Sequence, residues 1–173
     1  MPTVTAEEDE DLLLGLLNST PVADGRQLDL LSDDREARDW ARRHGGSGTP
    51  AEIEHLRQAR DRLQEVVRGS TDPAALAPLL AAVRLRPEPT SHGVRWHLDV
   101  PDHRRLGDRA LLAWGRVQER LPGRLRPCAN DECRLFLLDR SRPGTARWCS
   151  MKSCGNRLKA RRHYQRARGE QQD

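Results

Sequence analysis

"CANDECRLFLLDRSRPGTARWCSMKSCGNR", residues 128–157, carries all four cysteines of the chain: Cys128 and Cys133, then fifteen residues, then Cys149 and Cys154. Four residues separate the members of each pair. That is the wide end of the spacing by which a bent backbone presents two sulfurs to one tetrahedral ion, and the symmetry of the two pairs strengthens the reading. "RLFLLD" reads as a strand, "SRPGT" as a turn and "ARWC" as a returning strand, so the loop can bring the second pair onto the first. Ser153 is the expected cap of a helix beginning at Cys154. A unit of about 45 residues is too small to fold on its own apolar core, and one structural Zn²⁺ would supply much of its folding energy. Four protein sulfurs leave no open coordination position, so hydrolytic metal chemistry is not expected. Arg126, Arg147, Lys152 and Arg157 are the cations expected to offset a zinc–tetrathiolate charge of about −2. Disulfides, reversible redox pairing and an iron–sulfur cluster are the competing uses of the same thiols.

Outward toward the C-terminus the charge becomes one-signed. No Asp or Glu occurs from Arg140 through Gly169, although the chain holds 26 of them, and residues 147–169 carry eight Lys or Arg. Residues 1–120 have a net charge of −4 and residues 121–173 one of +8. Because 28 of the 30 basic residues are Arg throughout the chain, the missing acids say more than the arginines do. On a helical wheel Arg157, Arg161, Tyr164 and Arg168 share one face, Lys159, Arg162 and Arg166 nearly the opposite one, and only Cys154 and Leu158 point toward the cysteine module. A helix polar nearly all round either stands in solvent or is a surface for another molecule. The expected partner is nucleic acid, double-stranded DNA in the first instance, met by Arg147, Lys152, Arg157, Lys159, Arg161, Arg162, Tyr164, Arg166 and Arg168. The competing readings are a solvated cationic helix end, or an RNA-binding or protein-interaction module without direct DNA contact.

The remaining composition bounds the fold. A chain of 173 residues with 36% hydrophobic and 32% charged residues suits one ordinary domain plus a small appended module. Aromatic residues amount to 3%, so the core must be built from Leu, Val and Ala, which favours packed helices. The start, "MPTVTAEEDEDLLLGLLNST", places five acids before a short leucine run and lacks a basic leader, so a cytoplasmic location without a membrane span is expected. No phosphate-binding glycine loop and no nucleophile with a base beside it is visible, so an enzyme is not expected.

The first 120 residues read as amphipathic helices with one hairpin. Leu12 to Leu17 end at "NSTP"; Ala37, Trp40, Ala41 and His44 follow helical spacing and stop at "HGGSG". In "TPAE", Thr49 caps, Pro50 takes the first helical position and Glu52 is expected to reach back to the cap's amide, ahead of a stripe of Ile53, Leu56, Leu63 and Val67. Asp72-Pro73 opens another helix with Leu76, Leu79, Leu80 and Val83 on one face. "VRLRPEPTSHGVRWHLDV" alternates on both sides of a turn and predicts a β-hairpin. Leu106, Ala110, Trp114, Val117 and Leu121 make the stripe of a last long helix. Trp40, Trp96 and Trp114 are expected in the core, Trp148 and Phe136 in a small apolar layer of the module, and His92, His97 and His103 in structural or surface roles. "LPGRLRP" divides a helical domain, 1–121, from the cysteine module, 126–169. The expected fold is mainly α with a small β-hairpin (α+β): a helical N-terminal domain, then a four-cysteine zinc-ribbon or treble-clef-like module ending in a basic helix.

Cys154-Gly155-Asn156-Arg157 resembles the motif of the bacterial CGNR zinc-finger family, as does the run from Cys128 through the Phe-containing strand, the Asp-x-Ser-Arg turn and Trp-Cys-Ser-Met. "LLNST", "DGRQLDLL" and "VRWHLDV" resemble, in pattern and order, the ABATE domain of stress-induced transcription regulators, with Ser19 interrupting the Asn-Thr element. The resemblance implies that the four cysteines are zinc ligands and that a DNA-binding finger follows a regulatory domain, through which the chain is expected to form a homodimer.

Overall fold

A computed structural model describes residues 6–23 and 25–156. In chain order the elements are α1 (Ala6–Leu17), the short pair β1 (Val22–Ala23) and β2 (Arg26–Gln27), α2 (Asp34–Arg43) and α3 (Pro50–Arg68). A 3-10 turn (Pro73–Leu76) runs into α4 (Ala77–Leu80), followed by β3 (Leu85–Thr90), β4 (Gly93–Leu98) and α5 (Asp102–Arg120). β5 (Leu125–Pro127), β6 (Phe136–Leu138) and a wide helical turn, Met151–Gly155, complete the series. α5 packs on both α1 and α3, and the core between them is almost wholly aliphatic: Leu12, Leu13, Leu16, Leu56, Leu63, Leu106 and Leu111 are buried. Trp40 lies in this core and Trp114 packs against it.

Helix ends follow local chemistry. Asp33 accepts from the amides of Arg35 and Glu36 at 2.9 and 3.0 Å to start α2, and Asp72 accepts from the Ala74 amide at 2.7 Å. Thr49 caps α3 through the Glu52 amide at 3.3 Å. Glu52, however, does not close a reciprocal box with Thr49: its carboxylate accepts from the Gly48 amide at 2.6 Å and the Ser47 hydroxyl at 3.0 Å. The turn at Gly48, with φ of +72°, brings its amide inward, and Gly46 can approach because a Cβ there would lie 2.8 Å from the carboxylate. The segment expected as one helix after Asp72 is split into the 3-10 turn and the one-turn α4, with Leu76 buried and Leu79 and Leu80 half-buried.

Among the described residues no buried side-chain nitrogen or oxygen lacks a hydrogen-bond partner. Buried His55 bonds Asp108 at 2.8 Å, and Arg104 bonds both Asp108, at 3.2 Å, and the Leu79 carbonyl, at 2.6 Å. Asp9 on α1 receives Arg109, at 2.9 Å, and Arg116 from α5. These pairs fix the α1–α5 and α3–α5 seams that a nearly featureless leucine core would leave free to slide.

β3 and β4 form the expected hairpin, paired from Leu85↔Leu98 to Thr90↔Gly93. Trp96 is 61% exposed, which corrects its assignment to the core. Alternation predicts a half-buried ribbon, yet the outer positions of this one are exposed on both faces. His92 and His103 are exposed, and His97 bonds Glu88 across the strands.

β6 is antiparallel, but its partner is β5, which precedes the cysteines, with Leu125↔Leu138 and Pro127↔Phe136 in register. The "ARWC" segment is not a strand. The side of β6 away from β5 is taken at Phe136 by Asn18, whose Oδ1 accepts from the Phe136 amide at 2.7 Å and whose Nδ2 donates to the Phe136 carbonyl at 3.2 Å. Leu125 and Phe136 belong to the same buried cluster as the helices, so the strand pair beneath the cysteines stands directly on the helical core. Phe136 therefore packs against the helices, and it lines one groove together with Trp148, which is half-buried. Among the described residues no helix is long and apolar enough to cross a membrane.

Candidate metal centre

The first cysteine pair sits in the turn that leaves β5. The Cys128 amide donates to the Leu135 carbonyl and the Cys133 amide to the Asn130 carbonyl, both at 2.8 Å, bending the backbone so that both sulfurs face one side. The second pair is brought over it by the loop 139–146, which is organised around a single carboxylate. Asp139, 2% exposed, accepts from the Ser141 amide and hydroxyl at 2.9 and 2.6 Å with one oxygen, and from the Ala146 amide and Arg126 at 2.9 and 2.7 Å with the other. The Ser141 hydroxyl is the largest influence holding the Asp139 carboxyl below the usual carboxylate range; burial opposes it, and the two amides and Arg126 add to it. Arg126 also donates to the carbonyls of Gly144 and Ala146, at 3.0 and 2.6 Å, closing the loop from the other side. The Ala129 amide then meets the Arg147 carbonyl at 2.8 Å and stacks the second pair against the first.

All four sulfurs come together, with every one within 4.8 Å of the others. Cys149 Sγ lies 3.7 Å from both Cys133 Sγ and Cys154 Sγ. With Zn–S bonds of about 2.3 Å the edge of a tetrahedron is about 3.8 Å, so the cluster has the dimension of one zinc sphere. The thiols are free, and a disulfide would require about 2.05 Å. Cys128 and Cys154 are buried; Cys133 and Cys149 are half-buried, and Cys149 borders a groove of about 310 Å³ together with Leu14 of α1 and Asn18, which follows that helix.

The four thiols are close enough to perturb one another. Burial pushes the Cys133 thiol up to about 11, and burial together with the hydrogen bond to Cys133 pushes Cys149 higher still. Cys154 goes the other way: burial works against it, but the Asn130 amide and the three neighbouring thiols hold it below the ordinary thiol value. Asn130, itself buried, donates to Cys154 Sγ at 3.5 Å, and the Cys149 amide donates to Cys128 Sγ at 3.5 Å. Such N–H donors lower the charge a metal–thiolate site must carry. Metal uptake at neutral pH must displace thiol protons, so a proton count accompanies binding.

One cation expected at the centre is engaged elsewhere. Arg126 is committed to Asp139 and the loop carbonyls, because the loop needs those acceptors filled. Arg147 is exposed and lies over the Trp148 ring at 5.3 Å, and Lys152 is exposed on the helical turn. That turn begins at Met151 under a cap from Ser150, whose hydroxyl accepts from the Ser153 amide at 3.4 Å; Ser153 is inside it and is not the cap. Starting two residues after Cys149 lets the turn carry Cys154 back to the sulfurs within a single winding. Arg157, Lys159, Arg161, Arg162, Tyr164, Arg166 and Arg168, with the expected basic helix, lie outside the described residues.

Three contributors escape a search for ligands and cations: Asn130, Asp139 and Asn18. Asp139-x-Ser141 is an Asx-turn signature and Asn130 stands inside the first pair, so both carried a local signal. Asn18 carried a signal as turn chemistry and as the Asn of the Asn-Thr element, but none for its partner, which is 118 residues away.

Two family models match this chain. Residues 124–167 match "CGNR zinc finger" and residues 10–136 match ABATE, described as "Putative stress-induced transcription regulator". No curated protein matches. The finger match and the sulfur geometry together assign one structural zinc ion to Cys128, Cys133, Cys149 and Cys154.

Proposed function

The chain belongs to the ABATE family and carries a CGNR zinc finger, and from that premise we propose that it is a transcription regulator that binds double-stranded DNA through the basic segment following its fourth cysteine. The observation that carries the proposal is continuity: Cys154 is fixed to the zinc site, and from Asn156 to Gly169 the chain offers Arg157, Lys159, Arg161, Arg162, Arg166 and Arg168 with no acid among them. Zinc supplies rigidity and not chemistry, since all four positions are filled by sulfur. The exposed Arg147 and Lys152 extend the same positive surface back onto the module. The cations in this reading set affinity through phosphate, and Tyr164 with Arg157 and Arg161 reads bases or stacks on them. The protein is a binding protein in this reading, not an enzyme.

The test is a salt titration of duplex binding by the zinc-loaded chain. Neutralising six to ten phosphates costs about a thousandfold to a hundred-thousandfold in affinity between about 50 and about 200 mM salt. Replacing Arg157 and Arg161 with Ala should flatten the slope by about two while zinc content stays unchanged. A flat titration with the unaltered chain, or structured RNA displacing duplex at equal concentration, refutes double-stranded DNA as the partner.

A further inference from the structure

We propose that Arg68, the last residue of α3, is the cation that the helical domain sets against the charge of the zinc–thiolate centre, so that the metal affinity of the cysteine module depends on a side chain outside it. The inference rests on the assignment of zinc to the four cysteines and is independent of the nucleic-acid reading. A zinc ion with four thiolates carries a charge of about −2. Three arginines of the module itself are committed to other acceptors. Arg126 is bound to Asp139 and the loop carbonyls, Arg124 to the Ser141 carbonyl, and Arg140 to Glu10 and Asp11 of α1.

Arg68 is placed by two contacts on the segment that follows Cys133. Its Nη2 donates to the Arg134 carbonyl at 2.6 Å, and its guanidinium carbon lies 4.4 Å from the centre of the Phe136 ring. Phe136 is fixed in turn, being buried and held through both backbone groups by Asn18. The guanidinium therefore rests on a rigid support, against the residue that directly follows a metal ligand.

The surroundings of Arg68 set it apart from the other arginines of its helix. Arg57, Arg60 and Arg62 each meet a carboxylate, Asp34, Asp29 and Glu65 respectively. Arg68 is half-buried, and the charged groups that act on it are Arg134, of its own sign, and Cys133. Burial first, and Arg134 after it, hold Arg68 below the usual arginine value, while Cys133 works in its favour. Zinc uptake exchanges thiol protons for the ion and leaves anionic sulfur, so the group that favours Arg68 gains its full charge only on loading. An attraction present in the loaded state and absent from the empty one raises the affinity for metal, by linkage. Because Arg68 is partly out of water, salt screens that attraction only in part. Packing on Phe136 and a place at the C-terminal end of α3 are also favourable for an arginine, but those contributions are the same with and without metal.

That difference is what the experiment reads. Zinc affinity of the full chain is measured by competition with a chromophoric chelator, and thermal unfolding is followed on zinc-loaded and zinc-free samples. Arg68→Gln should weaken zinc binding by about tenfold, the lower end of the cost of losing a group that supports metal ligands, and Arg68→Lys, which keeps the charge, should recover most of it. Arg62→Gln, on the same helix, should change the affinity by less than about twofold. Raising salt from about 0.1 to about 1 M should narrow the gap between Arg68→Gln and the unaltered chain. Tm should fall further for zinc-loaded Arg68→Gln than for the zinc-free variant. Should Arg68→Gln lose helix content, Arg68→Met, which keeps more of the packing on Phe136, makes the same measurement. Unchanged zinc affinity overturns the proposal, as do equal losses for the Gln and Lys variants or a fall in Tm that is the same with and without zinc. An unaltered chain that takes up no zinc overturns the site assignment, and this inference with it.

Discussion

Asn18→Ala removes the one side chain that holds both backbone groups of Phe136. Its Oδ1 takes the Phe136 amide at 2.7 Å and its Nδ2 gives to the Phe136 carbonyl at 3.2 Å. Phe136 is buried, so its amide is left without a partner, at a cost of about 1–3 kcal/mol, while the longer, neutral bond to the carbonyl contributes about 0.5–1.5 kcal/mol. The helix itself does not suffer, because Asn18 follows the last residue of α1 and Ala is a better helix former. The expected destabilisation is therefore about 2–4 kcal/mol. For a chain of this length each kcal/mol lowers Tm by about 2–4 °C, so thermal unfolding should shift down by about 4–16 °C. The assay is differential scanning calorimetry of the zinc-loaded protein, with metal content measured on the same sample. Zinc should remain stoichiometric, since no sulfur contact passes through Asn18. A shift under about 2 °C would refute the claim that Asn18 ties β6 to the helices, and loss of zinc would show that the tie reaches the metal as well.

Two glycines of α5 should respond oppositely to alanine. Gly107→Ala places a Cβ 2.7 Å from Cδ2 of buried His55, whose ring is fixed by Asp108, and should destabilise by about 1–3 kcal/mol, whereas Gly115→Ala meets nothing within 4 Å and should stabilise by about 0.5–1 kcal/mol; urea midpoints measure both. Cys149→Ser should abolish stoichiometric zinc and expose the region after Leu138 to protease while α1, α3 and α5 keep their circular dichroism, because the leucine core does not depend on the sulfurs. Chelation of zinc from the unaltered chain should give the same pattern and reverse on adding zinc back, with proton release on binding set by the raised thiols of Cys133 and Cys149.

What the sequence alone determined is what local chemistry can specify. The spacing of Cys128, Cys133, Cys149 and Cys154 named the metal sphere because each pair sits in one backbone bend and the intervening loop is short enough to return. Thr49, Asp72 and the period of leucines placed the helix starts and faces, since capping and amphipathicity act within a few residues. Tertiary structure alone decided the rest, where the partner lies far along the chain or a choice exists between equivalent local options. β6 had two neighbours with strand character, and Asn18, 118 residues away, occupied the edge that "ARWC" would have needed. Glu52 had two amides within reach, and the turn at Gly48 presented the nearer one. Trp96 obeyed the alternation of a half-buried strand, but alternation fixes only which residues share a face; whether another surface covers that face depends on where the hairpin leaves the helices.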